Sequence, residues 1–327
     1  MLRRTMLGLA GTLALGVAAT VTMAQPAQAY PDRPITIIVP WGAGGGTDAT
    51  ARIIASVLEG ELDTSVNVVN RTGGSGVVGH TAIAEADPDG YTLGLATVEI
   101  NMMHWQGLTD LTWEGYTPLT LMNEDPASVN VPVDSPYETL QDLLDVIEEN
   151  PGGFQASGTG QGGIWHLALA GMLYDLGYEP DAVGWVPSDG AASGLQDMVA
   201  GGVDLVPCSL PEARSLIDAG RVKSLGLMSE ERADLYPDLP TLKEETDSDW
   251  TMGAWRGIVG PKGLPQEVVD TLIPALEAVY NSDDYQEFMA SQGYGIRWAA
   301  GDDFAAFMDQ SNQSMGDIME AVGLRQD

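Results

Sequence analysis

The sequence predicts an α/β protein of two lobes, each a mainly parallel sheet flanked by helices, with a cleft between them. Three observations carry this expectation. A leader precedes the fold, short apolar strands alternate with helices twice over, and glycine-rich turns stand where several of those strands end.

The leader comes first in the chain. Arg3 and Arg4 form a positive start, Met6 to Met23 is almost wholly apolar or small, and Ala27-Gln28-Ala29 supplies a small-residue cleavage site. Cleavage after Ala29 is expected, so the mature chain begins at Tyr30. The segment "RRTML" also loosely resembles a twin-arginine signal. No later stretch approaches the roughly 18 to 20 apolar residues of a membrane span. A soluble, exported protein of the periplasm is the expected product.

Strands follow at Ile35 to Val39, Val66 to Asn70 and Tyr91 to Thr97, with helices at Thr47 to Leu58 and Val77 to Ala86 between them. That is β-α-β-α-β, the pattern of a parallel sheet covered on both faces. Leu140, Leu143, Leu144 and Ile147 then fall at i, i+3, i+4, i+7, one apolar helical face. After them the alternation resumes. Strand Gly153 to Ala156 leads to helix Gly163 to Leu176, and strand Val183 to Val186 to helix Gly190 to Val199. Strand Val203 to Val206, a helix from Ala213 to Asp218 and strand Ser224 to Leu227 complete the second half. Pro265 opens a late helix that Pro274 is expected to kink, and Asp302 to Val322 reads as mostly helical. No low-complexity linker separates the halves, so extended crossings near Met122 to Val133 and Leu227 to Val259 are expected to join them. The first lobe then comprises residues 30–126 plus 228–327, and the second 127–227.

Composition excludes several function classes. Lys and Arg total 14 against 47 Asp and Glu, a formal net charge of −33 that grows more negative once Arg3 and Arg4 are removed. Such a chain repels nucleic acid and anionic membranes. The acids are scattered, which reads as a solvated surface of the halophilic type. At 1 M salt the Debye length is about 3 Å, so an anionic ligand need not be repelled. The single Cys208 excludes an internal disulfide. His80, His104 and His166 lack metal-ligand spacing, and no G-x-S-x-G elbow is present, so no metal site, no cofactor and no catalytic residue is expected.

Four loops carry the chemistry. They are Trp41-Gly42-Ala43-Gly44-Gly45-Gly46-Thr47-Asp48, Arg71-Thr72-Gly73-Gly74-Ser75-Gly76, Ser157-Gly158-Thr159-Gly160-Gln161-Gly162-Gly163 and Pro187-Ser188-Asp189-Gly190. Each follows an expected strand and enters an expected helix, so all four gather along the cleft edge of the sheets. A helix start offers free N–H groups and partial positive charge, and glycine lets an anion reach them. No Lys closes any loop as a P-loop requires. A dinucleotide is the rival visitor, since Gly44, Gly46 and Ala49 and also Gly74, Gly76 and Gly79 fit the fingerprint spacing. Asn70 stands where the ribose-binding acid belongs for the first loop, although Glu99 suits the second. An exported nicotinamide-dependent oxidoreductase therefore stays as the alternative. Asp48 reads as an acid that steadies its helix start, Trp41 as a pocket wall, and His166 as a structural histidine or a ligand contact.

The segments "YPDRPITIIVPWGAGGGTDATAR", "VNVVNRTGGSGVVGHTAIAEADPDGYTLGL", "FQASGTGQGGIWHLALAGM" and "VDLVPCSLPEARSLIDAGRVKSLGLMSEERADLYPDLPTLKE" resemble the substrate-binding proteins of tripartite tricarboxylate transporters, the Bug-type receptors. The likeness continues through "WRGIVGPKGLPQEVVDTL" and covers nearly everything from Tyr30 onward. It implies a periplasmic binding protein fold of type II-like form, not an enzyme. Such a receptor is monomeric and closes on a small organic carboxylate. It delivers that ligand to integral-membrane permease subunits, one large and one small, or presents it to a membrane sensor kinase. The resemblance gives the carboxylate to the loop of Trp41, Gly44, Gly45, Gly46, Thr47 and Asp48, through main-chain groups and ordered water. Gly73, Gly74 and Ser75, then Ser157, Gly158 and Thr159, then Ser188, Asp189 and Gly190 complete the implied pocket. Thr97 and Asn101 match further ligand-facing positions. Departures from the family pattern are Trp41 where Phe is common, Asp189 where Lys is usual, and Cys208-Ser209 where Asp or Asn often stands. They leave the carboxylate loop in place and open the question of which acid is bound.

Overall fold

The computed structural model describes residues 30–246 and 248–326. The expected leader at residues 1–29 lies outside them. Strand β1 (Ile35–Val39) runs into helix α1 (Gly46–Leu62), then β2 (Val66–Asn70), α2 (Val77–Ala84) and β3 (Thr92–Thr97). β1 lies between β2 and β3 and pairs with both in parallel. The βαβαβ expectation thus takes physical form as one parallel half-sheet, in which the central β1 is mostly buried while the edge strand β2 is only partly covered.

Next comes β4 (Tyr116–Pro132), a strand of 17 residues where only an extended crossing was expected. Pro118 and Pro126 obscure it in the sequence, because proline cannot donate to a ladder. Register shifts fall after Pro118, before Thr120, and between Leu121 and Asn123, whereas Pro126 pairs with Gly253 without one. Helix α3 (Leu140–Glu149), strand β5 (Phe154–Ala156), helix α4 (Ile164–Asp175), strand β6 (Val183–Trp185) and helix α5 (Ala191–Val199) follow. β5 and β6 are parallel. Then come β7 (Val206–Ser209), α6 (Leu210–Asp218) and β8 (Val222–Leu227). The strand expected at Val203 to Val206 is displaced forward. Only Leu205 bridges Ala156, after which the chain turns to pair with β4.

The return passes through α7 (Leu242–Glu245) to β9 (Gly253–Pro261), α8 (Gln266–Asn281), α9 (Asp283–Gln292), β10 (Ile296–Ala300) and α10 (Asp302–Ala321). α8 runs as one element through Pro274. β9 pairs antiparallel with β3 on one side and with Tyr116 to Pro126 of β4 on the other. From Ala127 onward β4 pairs instead with β7 and β8, also antiparallel. The fold is therefore a mixed α/β assembly in which the parallel parts are joined by antiparallel crossings.

Two apolar cores result. One holds Ile35, Ile37, Ile54 and Leu58 against Leu272 and Leu276. The other gathers Leu143, Ile147, Leu167, Leu195 and Val206. α4 is apolar all round ("IWHLALAGML") and is buried from Ile164 to Leu173, as a helix without a polar face must be.

A cavity at the first glycine loop

The loop after β1 is held from within. Asp48 Oδ2 accepts from Gly44 N at 2.9 Å and from Arg52 Nε at 2.9 Å, while Oδ1 accepts from Asn70 Nδ2 at 3.0 Å. Burial would raise its pKa, but the hydrogen bonds from Arg52, Gly44 and Asn70 outweigh burial and hold it below the usual carboxylate range. Asp48 therefore steadies the loop. Gly44 takes φ +82°, which a side chain would disfavour. Gly45 has ordinary room for a Cβ, whose nearest neighbour would be Gly42 O at 3.5 Å.

A chain of polar contacts leads across the cavity floor. Trp41 Nε1 donates to Thr97 Oγ1 at 3.1 Å, and Thr97 Oγ1 donates to Glu99 Oε2. Glu99 Oε1 accepts from Ile164 N, the first residue of α4, at 3.2 Å. Glu99 is fully enclosed, and burial raises its pKa against the opposing effect of these donors. Behind Thr97, His80 Nε2 accepts from Thr97 N at 3.2 Å while Nδ1 meets Gly76 O at 2.9 Å. That arrangement requires Nδ1–H and a neutral ring. Burial brings His80 down to about 4.

Arg256 of β9 is the buried cation. Its Nε donates to Thr47 Oγ1 at 3.1 Å, its Nη1 pairs with Asp125 Oδ2 and also reaches Asn123 Oδ1, and its Nη2 lies 3.6 Å from Glu212 Oε1. Glu212, from α6, also accepts from Gly46 N at 3.3 Å, while its Oε2 accepts from Ser209 Oγ at 3.0 Å. An internal carboxylate thus touches the start of α1, where the sequence leads one to expect a ligand's. Gly46 is needed there, since a Cβ would fall 2.7 Å from Arg256 Nη2.

Beside these groups lies a cavity of about 200 Å³. Of the expected site residues, Trp41, Gly45, Gly46, Thr47, Thr97, Thr159, Asp189 and Gly190 line it. Glu99, Trp165, Glu212 and Arg256 line it as well, and sequence reasoning did not place them in the pocket. The first and fourth loops are joined by Gly42 N donating to Asp189 O at 3.2 Å. The second and third loops meet where a Cβ on Gly160 would fall 2.1 Å from Ser75 Oγ.

The other expected residues stand outside the lining, each with a local role or burial. Gly73 and Gly74, with Ser75 at φ 55°, form the turn into α2. Ser157 is buried, and Gly158 at φ +152° passes close to Pro207 O. Ser188 Oγ donates to Gly190 O at 3.2 Å. His166 accepts from Gly162 N through Nδ1, stacks on Trp185 and is brought to about 4 by burial. Cys208 is buried in β7, its Sγ 3.3 Å from Asn130 Nδ2. Asn101 is buried, with neither amide atom partnered among the described residues. Gly79, part of the dinucleotide spacing, serves packing: a Cβ would lie 2.4 Å from Pro40 Cα. No metal-holding cluster occurs among the described residues.

Residues 50–324 match the family model described as "Tripartite tricarboxylate transporter family receptor". A UPF0065 protein of Pseudomonas sp. (strain P51) is 32% identical over 292 residues, covering 88% of this chain and 85% of the relative. The solved periplasmic binding protein BugD is 27% identical with a TM-score of 0.85, covering 91% of this chain and 100% of BugD. A Rhodopseudomonas palustris protein solved with adipate shares the fold at a TM-score of 0.85 and 24% identity, over 90% of this chain and 98% of that one.

Proposed function

This chain belongs to the tripartite tricarboxylate transporter receptor family, and from that premise we propose that it captures a small organic carboxylate in the cavity beside Gly45 and delivers it to a membrane permease. The family consists of solute-binding receptors rather than enzymes, and its structural neighbours are two-lobed periplasmic binding proteins. Membership sets the nicotinamide-dependent reading aside. The observation that carries our reading is the cavity at the start of α1, lined by Gly45, Gly46 and Thr47 and by Thr159, whose hydroxyl has no partner among the described residues. The adipate of the R. palustris protein supports a carboxylate as the ligand class.

In the proposed cycle the monomeric receptor is exported through its leader, which is removed after Ala29. Lobe one (30–126 with 228–327) and lobe two (127–227) close around the ligand. That division is supported by the change of β4's partners between Pro126 and Ala127. A large and a small permease subunit then receive the ligand. Micromolar affinity requires about 8 kcal/mol net. Hydrogen bonds to a charged group contribute about 1.5–3 kcal/mol each, so a handful must also offset closure.

A thermal-shift panel of mono-, di- and tricarboxylates, run on the natural protein and on Gly45→Val, tests this. Stabilisation by at least one acid, lost in Gly45→Val, is the expected result. Undiminished stabilisation in Gly45→Val would move the site elsewhere.

A further inference from the structure

We propose that the ligand of this cavity is a small zwitterion, carrying a cationic nitrogen as well as its carboxylate, rather than a plain di- or tricarboxylate. The inference rests on the cavity being the ligand site, as argued above, and adds the ligand's charge pattern to it.

The argument begins with a charge imbalance. Glu99, Asp189 and Glu212 line the cavity, and among the described residues Arg256 is the one cation that does so. Arg256 is already held by a fourth acid, Asp125, through Nη1, which also reaches Asn123, while its Nε donates to Thr47. Among the described residues this single cation is thus shared by Asp125, by Glu212 at 3.6 Å and, through its field alone, by Glu99, so the buried acids stay in excess. Glu99 and Glu212 are almost wholly out of solvent. Burying carboxylates in excess of cations is costly, and burial accordingly raises the pKa of both Glu99 and Glu212 towards the neutral acid. A dicarboxylate would add two more negative charges to the same space. A ligand cation would instead supply the missing charge.

Two further observations point the same way. Trp41 and Trp165 wall the same cavity, 8% and 2% exposed, and indoles are the strongest aromatic partners for a cation. Acids together with indoles are the chemistry that recognises ammonium and quaternary ammonium groups. The carboxylate end has its own donor. Thr159 lines the cavity, is 3% exposed, and its Oγ1 has no partner among the described residues. A buried hydroxyl left in that state is disfavoured unless a ligand acceptor completes it. The site thus has a donor for an anion and, beside it, acids and indoles for a cation.

Matched pairs of probes test the proposal by calorimetry at low salt. Glycine betaine is compared with 3,3-dimethylbutyrate, the same shape with carbon in place of the charged nitrogen, and L-aspartate with succinate. At least one zwitterion is expected to bind about tenfold or more tighter than its partner, and Glu212→Gln is expected to bring that ratio down to within about threefold. Asp189→Asn, on the exposed rim, gives a second charge deletion should Glu212→Gln fail to fold; it is expected to lower the ratio as well. If the plain carboxylates bind as tightly as the zwitterions or tighter, the inference is overturned and the carboxylate receptor stands. A response to none of the four probes, together with none to the wider carboxylate panel, overturns both. A zwitterion preference unchanged in both variants overturns the assignment of the acids.

Discussion

At the scale of single residues, His80 has the clearest pH signature. In the unfolded chain a histidine takes its proton near 6.5; in the fold His80 does so only near 4, because burial and the Thr97 N–H at Nε2 oppose the charge. Between those values the unfolded state binds the extra proton. Stability from this group is therefore complete above about pH 6.5 and is lost as pH falls toward 4, up to about 3 kcal/mol. His166 acts with the same sign. In denaturation profiles from pH 7 to 4, His80→Gln should lose less stability than the natural protein; parallel profiles would contradict this. The site was legible at residue scale where its chemistry is local. Asp48 serves Gly44 and Arg52 within four positions, and glycines announce their own turns. Arg256 and Glu212 were illegible because their partners are distant: Thr47 lies 209 positions from Arg256, and Gly46 lies 166 from Glu212. Nothing in "GAWRGIVGP" distinguishes a buried pivot arginine from a surface one.

At the scale of elements, α3 shows how a helix start is set by two side chains. Thr139 Oγ1 accepts from Asp142 N at 3.1 Å and Asp142 Oδ2 accepts from Thr139 N at 2.9 Å, a reciprocal cap on a strongly amphipathic helix. Thr139→Ala should cost about 1 kcal/mol in chemical denaturation, without altering ligand-induced stabilisation, because α3 lies away from the cavity. A loss of binding in that variant would show that α3 communicates with the site. Elements with a clean period, such as β1 and α3, were legible from sequence. β4 and β9 were seen only as crossings, since prolines and glycines interrupt their patterns while long-range pairing forms them. α9 and β10 were missed because their short polar-rich stretches acquire order from the neighbours they pack on.

At the scale of the whole molecule, charge dominates. With 14 basic and 47 acidic residues, repulsion among acids opposes the compact state. Several ion pairs that relieve it, such as Arg33–Asp89 and Arg232–Glu244, are solvent-exposed and contribute little individually. Raising NaCl from 0.1 to about 1 M shortens the screening length from about 10 to about 3 Å, so the melting temperature should rise with salt; a flat or falling Tm would remove charge repulsion as a destabilising force. β4 then has a mechanical meaning. A single strand that belongs to one sheet up to Pro126 and to another from Ala127 works like a torsion bar clamped at both ends. On the proposed division into lobes, opening and closing become a twist spread along a hydrogen-bonded rod.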